Sequence, residues 1–253
     1  ELKLEISPDS TAALVASGLL DEDPARLELR SVYFDTPARR LSEAGFSLRI
    51  RHSGETRIQT IKAAGAAAAG LYARPEWELV VEIDRPVIDD STPLKSLLGR
   101  SAWELAPLFE VRVERLIWNL SWEGAHIEVA LDQGEVRAGD RRTAICELEL
   151  ELKRGDVRSL FSLARRLDEF APLRVEVLSK AERGFRLLGP MADAAKAEDV
   201  RLSQNGTTKE AFGAIVASCI RQFRHNERLI DPQRPEALHQ ARVGLRRLRS
   251  AFS

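Results

Sequence analysis

Alternation of charged and apolar residues is the main pattern of the chain up to about residue 156. The opening segment ELKLEI (1–6) places charged residues at odd positions and apolar ones at even positions, the period of a β-strand with one polar face. A plain surface strand gives the same pattern. Here, however, the alternation recurs, and the polar faces collect Glu, Arg and Lys instead of Ser, Thr and Gln. The pattern predicts eight strands: 1–6, 27–35, 46–52, 56–63, 76–84, 109–119, 125–132 and 145–156.

Helical patterns lie between and after these strands. Ser7 and Pro8 are typical N-cap and first-turn residues, and Gly18 is a typical helix end. Turn signals at Ser53-Gly54 and Glu123-Gly124 predict short hairpins, so that most strands are antiparallel. We also predict helices near 93–99, at 157–170 and at 179–188, a loop over the alanine-rich run 63–70, a linker at 191–206, and helices from 207 and from about 235 onward.

These elements predict an α+β fold built on an eight-stranded antiparallel closed β-barrel with flanking helices, followed by an all-α helical segment. Closure removes the exposed edges of a sheet. The helices need an apolar surface to pack on, and only the Leu/Ile/Val faces of the strands offer one, so the charged faces must point inward. Because each unpaired buried charge costs several kcal/mol, this interior cannot be a dry core. We therefore predict a wet tunnel, or one that holds a charged ligand.

Composition narrows the class of protein. The 253 residues are 44% hydrophobic and 30% charged with a net charge of −1, as in a soluble globular protein, and no apolar run is long enough to span a membrane. We predict that Cys146 and Cys219 are small buried apolar residues and do not form a disulfide. Free cysteines fit a reducing compartment, and we therefore predict a cytoplasmic protein. Residues 207–253 carry nine Lys and Arg against four Asp and Glu, which favours an anionic partner. We predict no nucleic-acid or membrane partner; the oligomeric state stays open.

The inward faces carry a basic group of side chains. Arg49 and Arg51 are two positions apart on one strand, so they share a face, and their planar guanidinium forks suit phosphate oxygens. A solvated outer face is the alternative for any single strand of this kind. The full basic group is Lys3, Arg49, Arg51, Lys62, Arg115, Lys180 and Arg183.

An acidic group accompanies it. Glu147, Glu149 and Glu151 lie on one face of one strand and repel each other unless cations sit between them. Either the tunnel arginines neutralise them, or a hard divalent ion does. A cationic wall that faces an acidic wall fits a polyanion bridged by Mg²⁺, and such a site suits phosphoryl transfer. The four His show no metal-ligand spacing, and neither a Cys pair, a GxGxxG motif nor a P-loop is present. The full acidic group is Glu1, Glu76, Glu78, Glu128, Asp132, Glu147, Glu149 and Glu151.

Seven short motifs occur in order along the chain: ELKLE (1–5), YFDTP (33–37), LRIR (48–51), QTIK (59–62), PEWE (75–78), ELELELK (147–153) and SKAERG (179–184). Together they resemble the motifs of the CYTH family, the triphosphate tunnel metalloenzymes. The resemblance covers about residues 1–190 and implies a tunnel whose basic side chains hold a triphosphate while glutamates hold Mg²⁺ or Mn²⁺ and water attacks the terminal phosphorus. The family's Glu-x-Glu-x-Lys signature is visible only as Glu1 and Lys3. Because the chain starts without Met and ends within a helical pattern, we expect it to be part of a longer protein.

The resemblance also implies roles for individual residues. Lys3 or Lys62 would offset charge at the scissile phosphate or help to position water. The phosphates would be held by Arg49, Arg51, Lys62, Arg115, Lys180 and Arg183, and the metal by Glu1, Glu128, Glu149 and Glu151.

The segment ALHQARVGLRRLRSAF (237–252) resembles the opening of a CHAD domain, a helical module thought to bind inorganic polyphosphate. At helical spacing, one stripe of this segment is basic. A solvated basic face is the alternative interpretation. The resulting domain prediction is a CYTH domain at 1–190, a linker at 191–206 and the start of a CHAD domain at 207–253. The stripe consists of His239, Arg242, Arg246 and Arg249.

The pairing of these two domains resembles bacterial inorganic triphosphatases. We therefore expect metal-dependent hydrolysis of tripolyphosphate to pyrophosphate and phosphate, with polyphosphate bound by the basic helices. Two alternatives remain. One is a triphosphatase or cyclase acting on an organic triphosphate such as thiamine triphosphate or ATP, and the other is a polyphosphate-binding protein without catalytic activity.

Overall fold

A curled antiparallel sheet organises the molecule. The computed structural model describes residues 1–20, 23–63, 66–68 (backbone alone), 70–190, 193–200, 202, 204–233 and 235–253. All strand pairings within this part of the chain are antiparallel, and the eight predicted strands are all present. Their bounds are β1 Leu2–Ile6, β2 Ala25–Asp35, β3 Phe46–Ser53, β4 Thr56–Ala63, β7 Glu76–Val80, β8 Ala106–Trp122, β9 Ala125–Ala138 and β10 Arg141–Arg154; three short strands join them, β5 Ala66–Ala68, β6 Leu71–Ala73 and β11 Leu173–Val175.

The strands follow the order β5-β6-β1-β10-β9-β8-β2-β3-β4-β7, and β11 pairs with β1. Hairpins connect the long strands β8, β9 and β10. The turn between β8 and β9 has positive φ at both Glu123 (49°) and Gly124 (77°), the conformation of a type I′ turn, which matches the twist of the flanking strands. The sequence signal at this turn is therefore confirmed.

The two edges of the sheet are brought together by the chain itself. β6 lies between the edge strand β5 and β1, and β7 forms the other edge beside β4, yet only Arg74 and Pro75 separate β6 from β7. The Ala63 N–H donates to the Pro75 carbonyl (3.1 Å), and the Tyr72 N–H donates to the Glu1 carbonyl (2.8 Å). No continuous ladder joins β7 to β6 in the residues described. The sheet thus curls around an interior, and the short segment Arg74-Pro75 connects β6 to β7 where a hydrogen-bonded ladder would otherwise close it.

Helices cover the apolar outer face, as predicted. The α4 helix (Arg158–Asp168) inserts Leu160, Leu163 and Leu167 into a core that includes Leu4 and Leu148 from the strands. Charged residues of the same strands point the other way, so the inward orientation of the charged faces is confirmed. The remaining helices before the C-terminal segment are α1 Thr11–Val15, α2 Arg40–Glu43, α3 Leu94–Leu98 and α5 Lys180–Leu188, with 3₁₀ turns at Pro8–Ser10 and Gly99–Glu104.

Two long helices form the C-terminal segment, α6 (Thr208–Glu227) and α7 (Pro235–Ala251). α6 begins with a capping box between Thr207 and Glu210. The two helices pack closely at Gly244, where a Cβ atom would lie 3.1 Å from the Phe223 nitrogen of α6. None of the described helices is both long and apolar enough to cross a membrane.

Three predictions of local structure were wrong. Ala66–Ala68 of the alanine-rich run forms strand β5, because it pairs with Leu71–Ala73; residues 64, 65 and 69 lie outside the described residues. The strand predicted at 76–84 ends at Val80, where its pairing with β4 ends. The helix after Ser7 has Ser7 at its N-cap position and Pro8 in its first turn, as predicted, but it begins as a 3₁₀ turn, lacks a side-chain capping hydrogen bond and ends at Val15 instead of Gly18. Cys146 and Cys219 are both free, as predicted, although Cys219 alone of the two is fully buried and Cys146 is partly exposed.

Candidate active site: a charged tunnel

A cavity of about 690 Å³ lies inside the curled sheet. Strands from all around the sheet contribute its lining, together with the first residues of α5. Of the side chains predicted to face inward, Asp132, Glu147 and Arg183 do not line it. Those that do are Glu1, Lys3, Arg49, Arg51, Lys62, Glu76, Glu78, Arg115, Glu128, Glu149, Glu151 and Lys180.

Strand register brings opposite charges together. Lys3 of β1 lies opposite Glu149 of β10, and Arg115 of β8 lies opposite Asp132 of β9. Glu147 in turn lies opposite Asp132 across β9 and β10. Because side chains alternate between the two faces of a strand, strand geometry alone places both members of each pair on the inner face of the sheet.

Three carboxylates at the bottom of the tunnel surround one ammonium group. Oxygen atoms of Asp132, Glu147 and Glu149 lie within 4.8 Å of one another, close enough to hold a metal ion. The Lys180 Nζ atom, delivered by α5, lies 2.6 Å from Asp132, 2.6 Å from Glu147 and 2.9 Å from Glu149. Lys180 therefore occupies the place that a cation would take in this cluster.

The ionisation of these groups follows from their mutual contacts. Burial alone would raise the pKa of Glu149, but the charges of Lys180, Lys3 and Arg115 hold it well below its usual range. Burial alone would lower the pKa of Lys180, but the three carboxylates hold it well above its usual range. Glu149 and Lys180 are thus both ionised at neutral pH, and burial without this pairing would be costly.

Arg115 and Lys3 extend the network toward the cavity. Arg115 binds Asp132 through Nε and Nη2, both at 2.6 Å, and Nη2 also lies 2.6 Å from Glu149. Lys3 forms ion pairs with Glu149 and with Glu1, the latter at 2.6 Å. Burial disfavours the Lys3 ammonium, but the carboxylates of Glu149, Glu1 and Glu147 together outweigh burial and raise the pKa of Lys3. Lys3 therefore stays positively charged at neutral pH.

The opposite wall is cationic and poorly compensated. Arg49 forms no ion pair among the described residues, and its Nε atom has no hydrogen-bond partner there. Arg51 lies 3.7 Å from Glu78, a loose contact, and Lys62 pairs with Glu76 at 2.6 Å. Burial and the neighbouring Arg49 lower the pKa of Lys62 and of Arg51. These lowered pKa values indicate that the wall carries excess positive charge, and a bound anion would reduce the repulsion among its cations.

The carboxylates at the more open side of the acidic wall are arranged to take a cation. Glu128 and Glu151 lie directly opposite each other across β9 and β10, an arrangement that destabilises a sheet unless a cation lies between them. The Lys153 ammonium is 2.9 Å from Glu151 and 3.3 Å from Glu128, and its side chain is 43% exposed. Accessible carboxylate oxygens of this kind fit a hard divalent ion, whereas the deeper cluster is already neutralised by Lys180.

Arg183 connects the acidic wall to the C-terminal helices. Its Nη2 atom lies 2.9 Å from Glu147 and also pairs with Glu176, which is fully buried. Arg228, just after α6, pairs with the same Glu176 carboxylate and with Glu5 at 2.9 Å. An unbroken chain of alternating charges thus runs from the end of α6 to Lys180 inside the tunnel.

Sequence reasoning missed several contributors to the site. Tyr72 and Arg74 line the cavity from β6 and the residue after it, and the Arg74 guanidinium lies 5.3 Å from the centre of the Tyr72 ring. Tyr33 also lines the cavity, next to Arg49, and its contact with Arg49 raises the pKa of this arginine against the effect of burial. The alternation in YAR (72–74) was the available signal for β6, but it follows an alanine run without apolar anchors.

The predicted C-terminal stripe lies on α7. His239, Arg242, Arg246 and Arg249 are all exposed. The neighbouring Arg247 donates to the Gln222 side chain of α6 at 2.7 Å. Exposure is compatible with an anion-binding surface and with a solvated basic face, so both interpretations of the stripe stay open.

The curled antiparallel sheet around a charged tunnel defines the class of fold, and comparison with known proteins identifies the family. The model of the CYTH domain matches residues 1–185, and the model of the CHAD domain matches residues 214–253. The chain belongs to the CYTH family.

One curated relative is the inorganic triphosphatase of Haemophilus influenzae, 33% identical over 198 residues, which cover 74% of this chain and 54% of that protein. The chain thus spans about half the length of the relative.

Solved structures share the fold. A Hippeastrum protein described as having a dominant triphosphatase activity superposes with a TM-score of 0.53 at 20% identity, over 73% of this chain and 94% of that one. A Bacillus halodurans protein described as a candidate adenylate cyclase superposes with a TM-score of 0.53 at 18% identity, over 72% and 94% of the two chains. At these identities the likeness shows the fold alone.

Proposed function

We propose that the protein is an enzyme that hydrolyses inorganic triphosphate to pyrophosphate and phosphate inside the tunnel. The observation that carries this proposal is the pairing of an under-compensated cationic wall with a wall of carboxylates across one cavity. The cationic wall suits three consecutive phosphates, and the acidic wall suits the cation that bridges them. The identity of the Haemophilus influenzae relative supports the same activity.

In this proposal the basic residues divide into two sets. Arg49, Arg51, Lys62 and Arg115 bind the phosphates from the cavity wall. Lys3, Lys180 and Arg183 hold the acidic wall in place through their ion pairs with its carboxylates. Arg115 would do both, since it pairs with Asp132 and Glu149 and also lines the cavity. Lys180 and Arg183, which sequence reasoning placed among the phosphate ligands, would then act mainly through Glu147 and Glu149.

Glu1, Glu128, Glu149 and Glu151 would hold the metal, Mg²⁺ or Mn²⁺. When bound, such an ion neutralises phosphate charge and makes water a better nucleophile. Within this chain, Lys62 is the cation best placed to sit beside the phosphates with a lowered pKa, and Lys3 offsets the charge of Glu1 and Glu149. Holding the reactants in one geometry would supply much of the rate enhancement.

We also propose the domain division predicted from the sequence, with the tunnel domain at 1–190, a linker at 191–206 and the start of a helical domain at 207–253. The exposed stripe of α7 would bind polyphosphate and raise its local concentration near the tunnel.

One assay, run on the native protein, on a tunnel variant and on a surface control, tests the proposal. Tripolyphosphate is incubated with the protein and Mg²⁺ or Mn²⁺, and the products are identified by ³¹P NMR. Glu149→Gln should abolish formation of pyrophosphate and orthophosphate. The matched control is Glu114→Gln, since Glu114 pairs with Arg26 at the surface and should be dispensable. A protein that binds tripolyphosphate without producing either product would be a polyphosphate-binding protein, and turnover of ATP or thiamine triphosphate alone would assign an organic substrate.

A further inference from the structure

A second cavity, of about 490 Å³, adjoins the tunnel and is here called the outer chamber. Lys62, Tyr72, Arg74 and Ser179 line both cavities, so the two spaces share a wall. The far side of the outer chamber is formed by α6, which contributes Ala214, Ala217, Ser218 and Arg221. The tunnel therefore borders a space that the C-terminal segment helps to build.

Hydrogen-bond donors without partners converge on this chamber. Tyr72 Oη, Arg74 Nε and Ser218 Oγ are buried, and none has a hydrogen-bond partner in the part of the chain that the structure describes. Tyr72 is only 7% exposed. Burial raises the pKa of Tyr72, so its hydroxyl keeps its proton and can donate. A buried donor left unpaired is costly, and three on one cavity point to a ligand rich in acceptor oxygens.

The charges of the outer chamber also favour an anion. Its carboxylates are Glu182, Glu198 and Asp199. Glu182 accepts from the Ser179 N–H at 2.8 Å and pairs with Arg221 at 3.1 Å, and Arg221 also lies 3.7 Å from Glu198.

The third carboxylate, Asp199, is exposed at the rim of the chamber. Arg74, by contrast, forms no ion pair with any described residue. Where the chamber meets the tunnel, positive charge is therefore in excess.

We propose that the outer chamber is a subsite for a phosphate group beyond those held in the tunnel. Its donors are Tyr72 Oη, Arg74 and Ser218 Oγ. The phosphate would come either from the continuation of a linear polyphosphate chain that leaves the tunnel toward α6, or from orthophosphate released by hydrolysis. The subsite deepens the proposed function and rests on it for the identity of the polyanion.

The test compares ligands and variants in EDTA, where binding is measured by calorimetry without turnover. Ser218→Ala removes one donor. Ala214→Glu adds a carboxylate to an exposed position of the lining, and Ala214→Gln is its matched neutral control. Each protein is titrated with tripolyphosphate, with a longer linear polyphosphate and with orthophosphate.

If the chain continues into the outer chamber, Ser218→Ala and Ala214→Glu should weaken binding of the longer polyphosphate about tenfold, because each affects a charge-assisted contact, while Ala214→Gln leaves it within about twofold. Tripolyphosphate affinity should be the same in all proteins. A selective loss of orthophosphate binding would assign the subsite to the product. Equal affinities for all three ligands across the variants would overturn the subsite. Failure of the native protein to bind tripolyphosphate at all would instead count against the proposed function, whatever the variants do.

Discussion

The Lys180 Nζ atom lies 2.6 Å from the Glu147 carboxylate, so that a lysine from α5 is held at the centre of the acidic cluster of the tunnel. Asp132, Glu147 and Glu149 lie close enough together to hold a metal ion, but Lys180 and its basic neighbours already balance their charge. Lys180 thus ties Asp132 and Glu147 into the structural part of the acidic wall, whereas Glu128 and Glu151 form the part that can accept an external cation, and Glu149 is shared between the two parts.

Replacing Lys180 should expose the structural role of the cluster. Lys180→Met removes the cation shared by Asp132, Glu147 and Glu149, and loss of one partner from a buried network should lower the free energy of unfolding by about 3–5 kcal/mol. Urea denaturation in EDTA measures the loss, and added Mn²⁺ should restore part of it by entering the cluster.

Lys95→Met is the matched control for Lys180→Met, because Lys95 pairs with Asp90 at the surface and exposed pairs contribute about 0–1 kcal/mol. Equal stability of the two variants would show that the buried network does not stabilise the fold.

Replacing Arg49, in contrast to Lys180, should affect tripolyphosphate binding much more than stability. Because Arg49 has no carboxylate partner among the described residues, Arg49→Gln should lower the free energy of unfolding by no more than about 1 kcal/mol, while tripolyphosphate affinity falls about tenfold or more through loss of a charge-assisted contact. Arg112→Gln, which removes an outer ion pair with Glu110, is the control. Unchanged affinity in Arg49→Gln would remove Arg49 from the phosphate wall.

His225 of α6 makes stability depend on pH. Burial, with the neighbouring Arg186, lowers the pKa of His225 to about 3, so that the folded protein keeps this imidazole neutral. The unfolded chain binds a proton near pH 6.5, so stability should fall as pH decreases from about 6.5 toward 3, by on the order of 2 kcal/mol between pH 7 and pH 5.

In His225→Gln this part of the pH dependence should be absent, since an amide oxygen can still accept a hydrogen bond from Arg186 but cannot titrate. Urea denaturation of both proteins at the two pH values provides the comparison. Parallel losses in the two proteins would mean that His225 titrates normally in the folded state.

Arg228 should matter more to the tunnel than its neighbour Arg224. Arg228 pairs with Glu176, which leads through Arg183 to Glu147, whereas Arg224 pairs with Glu5 and Glu227. Both variants to Ala remove one positive charge from the same end of α6. Arg228→Ala should lower kcat for tripolyphosphate several-fold beyond the effect of Arg224→Ala, with a similar loss of stability in both.

A double-mutant cycle distinguishes a connected chain from general loosening of α6. The effects of Arg228→Ala and Glu147→Gln on kcat should be strongly non-additive, and those of Arg224→Ala and Glu147→Gln should simply add. Additive effects in both cycles would argue that Arg228 does not act on the tunnel through Glu176.

The sequence predicted the parts of this fold that depend on local periodicity. Alternation in β1 and β10 gave the correct strands and also the correct face for Lys3, Glu147 and Glu149, because strand geometry alone decides which way a side chain points. The same reasoning correctly placed Arg49 and Arg51 on one wall of the cavity.

Contacts between distant segments could not be predicted in this way. Nothing near Lys180 in the sequence shows that it enters a carboxylate cluster, because that contact depends on how α5 docks against the sheet. The short strand β6 was missed since its pairing with β1, not its own composition, stabilises it. The contact of Arg228 with Glu176 likewise joins residues that are far apart in sequence and depends on the packing of α6.

Orthophosphate release from tripolyphosphate, ATP and long-chain polyphosphate, measured with Mg²⁺ or Mn²⁺ and in parallel with EDTA, decides whether the tunnel hydrolyses inorganic triphosphate. If it does, turnover is strongest on tripolyphosphate, is lost in EDTA and returns when the metal is restored. Turnover that persists in EDTA, or no turnover on any of the three despite tight binding, would contradict the proposed function.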